Sequence, residues 1–194
     1  MLEWLERTKP QNAVLVVQDW GGLLGLTLPM ASPERYAGLL VMNTLLATGE
    51  AALPPGFLAW REMCAKKPDF DVGRLLARGN PQMGEAECAA YNAPFPDRGH
   101  RAALRAFPAM VPEGPDDDGA ATSRLAAEFF RTAWRAPTLM AVGQQDPVLG
   151  APVMRALAER LGITTPPMVL PQAGHFVPEH GADIAREALR FFAR

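Results

Sequence analysis

Residues 14–22 read VLVVQDWGG, and the order of residue types in this stretch decides the fold. The apolar residues 14–17 are typical of a strand buried on both faces, as in a parallel sheet. Asp19 and Trp20 then come directly before two glycines, and small residues at such a point let a strand and the following helix approach closely. The stretch therefore predicts a sharp strand-to-helix turn that lifts Asp19 above the sheet. A plainer interpretation stays open from these residues alone, since aspartate is also a favourable helix cap.

Three further apolar runs predict the rest of the sheet. They lie at residues 39–42, 138–142 and 168–170. Helical periodicity follows the last two runs: one amphipathic segment ends at Gly162, a typical helix stop, and another covers residues 182–194. Strands that alternate with helices in this way are typical of an α/β layered sheet.

Residues 44–136 interrupt this alternation. They are rich in Pro, Gly and Ala and contain several short helical patterns, and the strand pattern resumes at Pro137. We therefore expect a helical cap inserted between two strands of one sheet. The predicted division is a core of residues 1–43 and 137–194, with the cap at residues 44–136.

The bulk composition excludes several classes of protein. Of the 194 residues, 48% are hydrophobic and 21% are charged, as in ordinary globular proteins. The net charge of -2 gives no electrostatic reason to expect a nucleic acid or an anionic membrane as a partner. The longest apolar runs are of strand length, well short of a membrane-spanning helix. Cys64 and Cys88 are too few for a disulfide framework, so we expect two buried free thiols in a cytoplasmic protein.

Two later strand ends carry residues that complete a catalytic pattern. Asp146 lies in VGQQDPVLG after the third strand, and His175 lies in PQAGHFVPEH after the fourth. Because parallel strands end at one edge of a sheet, we expect Asp19, Asp146 and His175 to meet there. Nucleophile, acid and histidine in this chain order form a recurrent arrangement for covalent catalysis. The other two histidines, His100 and His180, are expected at a helix start and at the solvated surface.

A carboxylate nucleophile limits the types of reaction that the site can catalyse. Its attack on a saturated carbon gives an ordinary ester, which water cleaves once a histidine removes a proton. The leaving group then distinguishes the two reactions open to such a nucleophile, the displacement of a halide and the opening of an epoxide. A departing halide needs N–H donors and no proton, whereas the oxygen of an opened epoxide needs an acid such as a tyrosine.

The aromatic residues favour a halide and leave the epoxide as an alternative. Of the two tyrosines, Tyr36 lies in the sheet-packing region, which leaves Tyr91 as the cap candidate. Trp20 adjoins the predicted nucleophile and Trp60 lies in the cap, although simple packing is an alternative for Trp60. An indole donates a hydrogen bond and accepts none, which suits a halide. The remaining tryptophans are expected in the core: Trp4 and Trp134.

Five stretches of the core and the cap are distinctive. They are VVQDWGGLLGLTLPM (16–30), GFLAW (56–60), AAYNAPFPD (89–97), FPAMV (107–111) and AGHFVPE (173–179). Together they resemble the haloalkane dehalogenases of the α/β-hydrolase superfamily, in the branch whose second halide-binding residue is a cap tryptophan. The resemblance covers essentially the whole chain. It implies an α/β-hydrolase fold with a partial parallel sheet and a helical cap inserted between strands.

The resemblance also implies a role for each candidate residue. Asp19 would be the nucleophile, His175 the base and Asp146 its partner, while the indole N–H groups of Trp20 and Trp60 would bind the halide. The residues that would line the apolar pocket are Phe57 and Phe95. Fluoroacetate-type dehalogenases place an arginine directly after the nucleophile, where this chain has tryptophan. No metal and no organic cofactor is implied.

The reaction implied is the hydrolysis of a short haloalkane to an alcohol and a halide ion. Epoxide hydrolases of the same superfamily share the strand-to-helix turn with the sequence DWGG, so epoxide hydrolysis is the alternative reaction. The family also has first strands and an oxyanion loop with a His-Gly motif, for which residues 1–18 offer no counterpart. We therefore expect a truncated chain with an exposed strand edge, and an inactive fragment is a third alternative. A full-length chain is expected to be a monomer.

Overall fold

Four parallel strands form a single sheet, and the chain visits them in order. The computed structural model describes residues 1–67, 69–80 and 82–193. The strands are β1 (Ala13–Val17), β2 (Tyr36–Met42), β3 (Thr138–Gly143) and β4 (Met168–Leu170). Their order across the sheet is β1-β2-β3-β4, and each neighbouring pair is parallel. All four strands predicted from the apolar runs are present, and the predicted α/β class is confirmed.

Helices connect these strands and cover both faces of the sheet. Within the described residues they are α1 (Leu2–Thr8), α2 (Trp20–Gly25), α3 (Pro55–Lys66), α4 (Val72–Gly79), α5 (Glu85–Asn92), α6 (Ala102–Ala109), α7 (Ala120–Thr132), α8 (Ala151–Leu161) and α9 (Gly181–Phe192). Helix α2 is short, as Pro29 predicts. Gly162 follows α8 with a φ of 70°, the left-handed conformation that ends a helix and that glycine adopts most easily.

The central strand β2 supplies two apolar clusters, one on each face of the sheet. Leu39 and Val41 belong to a cluster with residues of α7 and α8. Leu40 and Met42 belong to a second cluster, which includes Ile184 of α9. Because successive residues of a strand point to opposite faces, the continuous apolar run of β2 serves both clusters.

Strand β1 is an edge strand and is less buried than its sequence predicts. Val17 is buried, but Val14 is 37% exposed and Val16 is 54% exposed. Val16 pairs with Leu40, so it lies on the face that α9 covers over the neighbouring strands. The expectation of burial on both faces is therefore wrong for β1. The exposed strand edge expected from the sequence is the free edge of β1.

The segment between β2 and β3 contains α3 to α7, but α7 packs with the core. Its Ala126 and Phe130 belong to the same apolar cluster as β2. We therefore propose that the cap consists of α3 to α6 and ends before α7, inside the predicted limits of residues 44–136.

The two tryptophans expected in the core have different environments. Trp134 packs against Phe130 with ring centroids 5.3 Å apart, and its indole N–H donates to Thr138 Oγ1 at 2.9 Å. The prediction of a packed residue is confirmed for Trp134. Trp4 is 59% exposed, so the prediction is wrong there, because α1 buries only Leu5.

Two expectations drawn from composition can be compared with the described residues. Cys64 is buried, Cys88 is half-buried, and both thiols are free. Burial raises the pKa of the Cys64 thiol to about 11. No helix in the described ranges combines the length and the apolar character needed to cross a membrane.

We predict that Gly22→Ala destabilises the protein whereas Gly21→Ala does not. A Cβ at Gly22 would lie 1.9 Å from Thr44 Oγ1, but a Cβ at Gly21 would meet no atom within 4 Å. Forcing a methyl group into a packed site typically costs about 1–3 kcal/mol of unfolding free energy. Urea unfolding of both variants tests this, and equal stabilities would contradict the close approach of α2 to Thr44.

Candidate active site

Asp19 lies at the sharp turn between β1 and α2. Its φ of 48° and ψ of -123° are unusual for a residue with a side chain, and such backbone strain persists only where the surroundings hold it. The Asp19 side chain makes no capping hydrogen bond to α2 within the described residues, which disfavours the plainer interpretation as a helix cap. The carboxylate is 40% exposed, so a small molecule can reach it.

The residues that follow β2 hold the Asp19 backbone on both sides. The Asp19 N–H donates to the Asn43 carbonyl oxygen at 3.0 Å. Thr44 Oγ1 donates to the Asp19 carbonyl oxygen at 2.7 Å. Asn43 and Thr44 are both fully buried, so these two hydrogen bonds are shielded from water and keep the strained turn in place.

The structure brings Asp19, Asp146 and His175 together, as their strand-end positions predict. His175 Nε2 lies 3.4 Å from Asp19 Oδ1. On the other side of the ring, His175 Nδ1 lies 2.8 Å from Asp146 Oδ2. The Asp146 side chain is fully buried and the His175 side chain is 25% exposed. The imidazole thus connects a buried carboxylate to one that solvent can reach.

The Asp146 carboxylate accepts more hydrogen bonds than the one from His175. Its Oδ1 accepts from the backbone N–H groups of Val148 and Leu149, at 2.8 and 3.0 Å. Its Oδ2 accepts from Asn43 Nδ2 at 2.9 Å. The sequence analysis did not identify Asn43 or Thr44 as site residues. Their position directly after β2, comparable with that of Asp19 after β1, is the one signal that could have found them.

The hydrogen bond between Asp146 and His175 stabilises the charged form of both groups. Burial alone raises the pKa of Asp146, but the hydrogen bonds from His175 and Asn43 outweigh it and hold the pKa at about 2. Burial alone lowers the pKa of His175, but Asp146 and Asp19 together outweigh it and raise the pKa to about 9. At neutral pH the site therefore holds an imidazolium ion between two carboxylates.

The raised pKa of His175 predicts how stability depends on pH. A group whose pKa rises on folding stabilises the protein fully below its unfolded pKa, here 6.5. This stabilisation is lost as the pH rises through about 9. We expect the unfolding free energy of the parent to fall over this range more than that of His175→Gln. Urea unfolding at several pH values measures both slopes, and equal slopes would contradict the ion pairs.

The two candidate halide-binding tryptophans pack against different phenylalanines. The Trp20 ring lies 4.9 Å from the Phe107 ring of α6, and the Trp60 ring on α3 lies 5.6 Å from the Phe70 ring. Helix α3, which carries Trp60, packs against α6, which carries Phe107. Within the described residues, neither indole N–H makes a hydrogen bond, in contrast to that of Trp134.

The residues predicted to line an apolar pocket are both half-buried. Phe57 lies on α3 with the Arg61 guanidinium 5.3 Å from its ring centre, and Phe95 follows α5. Two surface concavities, of about 270 and 310 Å³, are lined neither by these phenylalanines nor by Asp19. The role of Phe57 and Phe95 stays a prediction.

Other candidates from the sequence lie outside the group of Asp19, Asp146 and His175, which we call the triad. The Tyr91 hydroxyl donates to the Glu179 carboxylate, and this hydrogen bond raises the pKa of Tyr91. His100 is exposed just before α6 and pairs with Asp97, as a residue at a helix start should. His180 is half-buried, and its Nε2 is buried without a partner in the described residues. The solvated position predicted for His180 is therefore wrong.

Two helices of the proposed cap, α3 and α4, approach the two loops that carry Asp146 and His175. A Cβ at Gly56, in the first turn of α3, would lie 3.1 Å from Val148 in the Asp146 loop. A Cβ at Gly174, directly before His175, would lie 2.6 Å from the Gly79 carbonyl oxygen at the end of α4. These contacts place cap helices next to the triad. No group of three or more His, Cys, Asp or Glu side chains suited to a metal occurs among the described residues.

Comparison with known proteins gives one consistent set of relatives. Residues 1–182 match the protein family described as alpha/beta hydrolase fold. The chain is 34% identical over 191 residues to a haloalkane dehalogenase of Mycolicibacterium paratuberculosis, covering 97% of this chain and 63% of that protein. It is 35% identical over 188 residues to a haloalkane dehalogenase of Mycobacterium marinum, covering 96% of this chain and 63% of that protein.

The solved structures agree with the sequence relatives. The tetrameric haloalkane dehalogenase DpaA from Paraglaciecola agarilytica NO2 matches with a TM-score of 0.92 and 35% identity. The match covers 97% of this chain and 63% of DpaA. The chain thus spans less than two thirds of the length of these relatives.

Proposed function

The chain belongs to the alpha/beta hydrolase family, and from this premise we propose that it is a hydrolytic haloalkane dehalogenase with Asp19 as its nucleophile. The observation that carries the proposal is the His175 imidazole, 3.4 Å from the Asp19 carboxylate and 2.8 Å from the Asp146 carboxylate. The named relatives support the choice of a haloalkane as substrate. Its products are an alcohol and a halide ion.

In the first step, Asp19 displaces the halide. An Asp19 carboxylate oxygen attacks the carbon that carries the halogen, a carbon–oxygen bond forms, and the carbon–halogen bond breaks with its electron pair leaving on the halide. The Asp19 side chain accepts no capping hydrogen bond from α2 among the described residues, so its negative charge is available for the attack. The product is an ester between the alkyl group and Asp19.

In the second step, water cleaves this ester. His175 Nε2 removes a proton from water, and the resulting hydroxide attacks the side-chain ester carbon of Asp19, Cγ. The bond from Cγ to the alkyl oxygen then breaks, and the alcohol departs with a proton from the His175 imidazolium ion. Esterification removes the negative charge of Asp19, so the pKa of His175 falls from about 9 and the ring can lose its proton to become a base. Asp146 stabilises the imidazolium ion that forms again. The Trp20 backbone N–H, which directly follows Asp19 in the chain, is proposed to donate to the developing oxyanion.

The halide is proposed to leave between the indoles of Trp20 and Trp60. A halide accepts hydrogen bonds and needs no proton, and an indole N–H only donates. Both indoles are half-buried, so a hydrogen bond to an anion is stronger there than in bulk water. Their N–H groups make no other hydrogen bond among the described residues, which leaves them available.

We predict that Trp60→Phe weakens halide binding by about 10-fold or more, because loss of a hydrogen bond to a charged group costs about 1.5–3 kcal/mol. The change keeps an aromatic ring at the position. Halide titration followed by tryptophan fluorescence measures the affinity. Trp134→Phe is the matched control, since the Trp134 indole already donates to Thr138. Equal affinities in Trp60→Phe and the parent would contradict the assignment.

The epoxide alternative is less well supported. Opening an epoxide requires an acid for the oxygen, and Tyr91 is the tyrosine of the cap. Its hydroxyl already donates to Glu179, and the raised pKa makes it a weaker acid. Diol formation from a simple epoxide that is lost in Tyr91→Phe would favour this alternative.

The proposed activity is tested on the 194-residue chain. We expect halide release when a 1-haloalkane is added to a preparation that shows a cooperative thermal transition. A cooperatively folded protein that releases no halide would contradict the proposal and would favour the third alternative, an inactive fragment.

A further inference from the structure

The Asn43 side chain is a buried polar group that the proposed reaction leaves without a role. Asn43 follows β2 directly and is fully buried. Its Nδ2 group donates to Asp146 Oδ2 at 2.9 Å and to the Gly143 carbonyl oxygen at 3.0 Å. We propose that Asn43 is a positioning residue whose amide holds the Asp146 carboxylate in the orientation that receives the His175 Nδ1–H.

The hydrogen bonds of Gly143 fix the orientation of the Asn43 amide. The Gly143 N–H donates to Asn43 Oδ1 at 2.9 Å, and the Gly143 carbonyl oxygen accepts from Nδ2. The amide is thus paired with both backbone groups of one residue at the end of β3. In a flipped amide, Nδ2 would face the Gly143 N–H and Oδ1 would face the Gly143 carbonyl oxygen, and neither pair forms a hydrogen bond. The Nδ2 end is therefore the one that lies next to Asp146.

The Asn43 amide acts on the same carboxylate oxygen as His175. Asp146 Oδ1 is held by backbone N–H groups of its own loop, whereas Oδ2 accepts from both His175 and Asn43. Asn43 therefore connects Oδ2 to the neighbouring strand β2. Without the amide, the imidazole would be the one donor to Oδ2 among the described residues, and the position of Oδ2 would depend on His175 itself.

The side chain and the backbone of Asn43 act on different members of the triad. The Asn43 carbonyl oxygen accepts from the Asp19 N–H, and any substitution leaves this oxygen in place. A side-chain substitution at position 43 therefore changes the environment of Asp146 and leaves the turn at Asp19 supported. The titratable side chains in this network, among the described residues, are Asp19, Asp146 and His175.

This inference rests on the proposed function, so its first test needs no substrate. Asn43→Leu keeps the approximate size of the side chain but removes the donor next to Asp146 and adds no charge. The hydrogen bond to Asp146 raises the pKa of His175, so a carboxylate that loses its orientation should let the titration midpoint of the His175 ring in NMR spectra fall by about 1 pH unit or more. An unchanged midpoint would overturn the proposal.

Asn92→Leu is the matched control for this titration. Asn92 Nδ2 donates to the Asp71 carboxylate at 2.8 Å, and Asn92 Oδ1 accepts from the Gly73 N–H at 3.0 Å. The same chemical change is thus made to the same pattern of hydrogen bonds, but between α4 and α5 of the cap. We expect the His175 midpoint to stay at its parent value, and an equal fall in both variants would contradict a specific effect of Asn43.

A second variant, Asn43→Ser, tests positioning through the reaction itself. We expect kcat to fall by about 100-fold, the typical effect of a misplaced catalytic group, with KM unchanged. An unchanged kcat would overturn the proposal. So would loss of the cooperative thermal transition in both Asn43 variants, because Asn43 would then be a structural residue. If the parent releases no halide, the proposed function fails, and the NMR comparison still decides the role of Asn43.

Discussion

Replacing Asp19 with asparagine is expected to lower halide release from a 1-haloalkane by about 10⁴-fold or more, as removal of a covalent nucleophile does in other enzymes. The amide oxygen carries no full charge, so it does not displace a halide from carbon. The rest of the site is expected to persist, because the Asp19 backbone is held by Asn43 and Thr44. Halide release by freshly prepared protein is the measurement.

The control for this result is an aspartate outside the site. Asp116 lies exposed in the loop before α7, and Asp116→Asn should release halide at the parent rate. Substrate should still bind to Asp19→Asn, because the substitution leaves the cap unchanged. Parent-like halide release by Asp19→Asn would remove Asp19 from the mechanism.

His175→Gln is expected to separate the two chemical steps. Without a base, hydrolysis of the ester should slow by about 10²–10⁴-fold, while attack by Asp19 remains possible. The variant should therefore release one halide ion for each active site and then stop. Mass spectrometry of the intact protein should show the added alkyl group, and fragmentation should place it on Asp19.

The matched variant for His175→Gln is His100→Gln. His100 is exposed and pairs with Asp97 rather than with a triad member. This variant should turn over continuously and accumulate no ester. A His175→Gln protein that keeps parent turnover and stays unmodified would show that the imidazole is not the base.

Much of the sheet could be predicted because each strand carries its own apolar run. Strand β2 nevertheless begins at Tyr36, three residues before the predicted start at Leu39. The prediction began late because Gly38 interrupts the apolar run. A Cβ at Gly38 would lie 2.5 Å from the Phe192 ring, so the packing of α9 requires this glycine. The exposure of Val16 could not be predicted either, because it depends on what lies beside β1 and not on the residues of the strand.

The triad could be predicted because Asp19, Asp146 and His175 each follow a strand, and parallel strands end at one edge of the sheet. Asn43 also follows a strand, but its role depends on hydrogen bonds to Gly143 and Asp146, far away in sequence. No local pattern encodes such a contact. The site residues of the proposed cap could not be placed in this way. The positions of Trp60 and Phe57 depend on how α3 packs, because neither residue follows a strand.

The most direct test of the central claim is a single turnover in water enriched in oxygen-18, with the protein in excess over a 1-haloalkane. If Asp19 attacks carbon, the alcohol from this turnover carries an ordinary oxygen atom from the carboxylate, and the peptide that contains Asp19 gains the heavy isotope. An alcohol that carries oxygen-18 from the start, with an unlabelled Asp19 peptide, would mean that water attacks the substrate directly and would contradict the covalent mechanism.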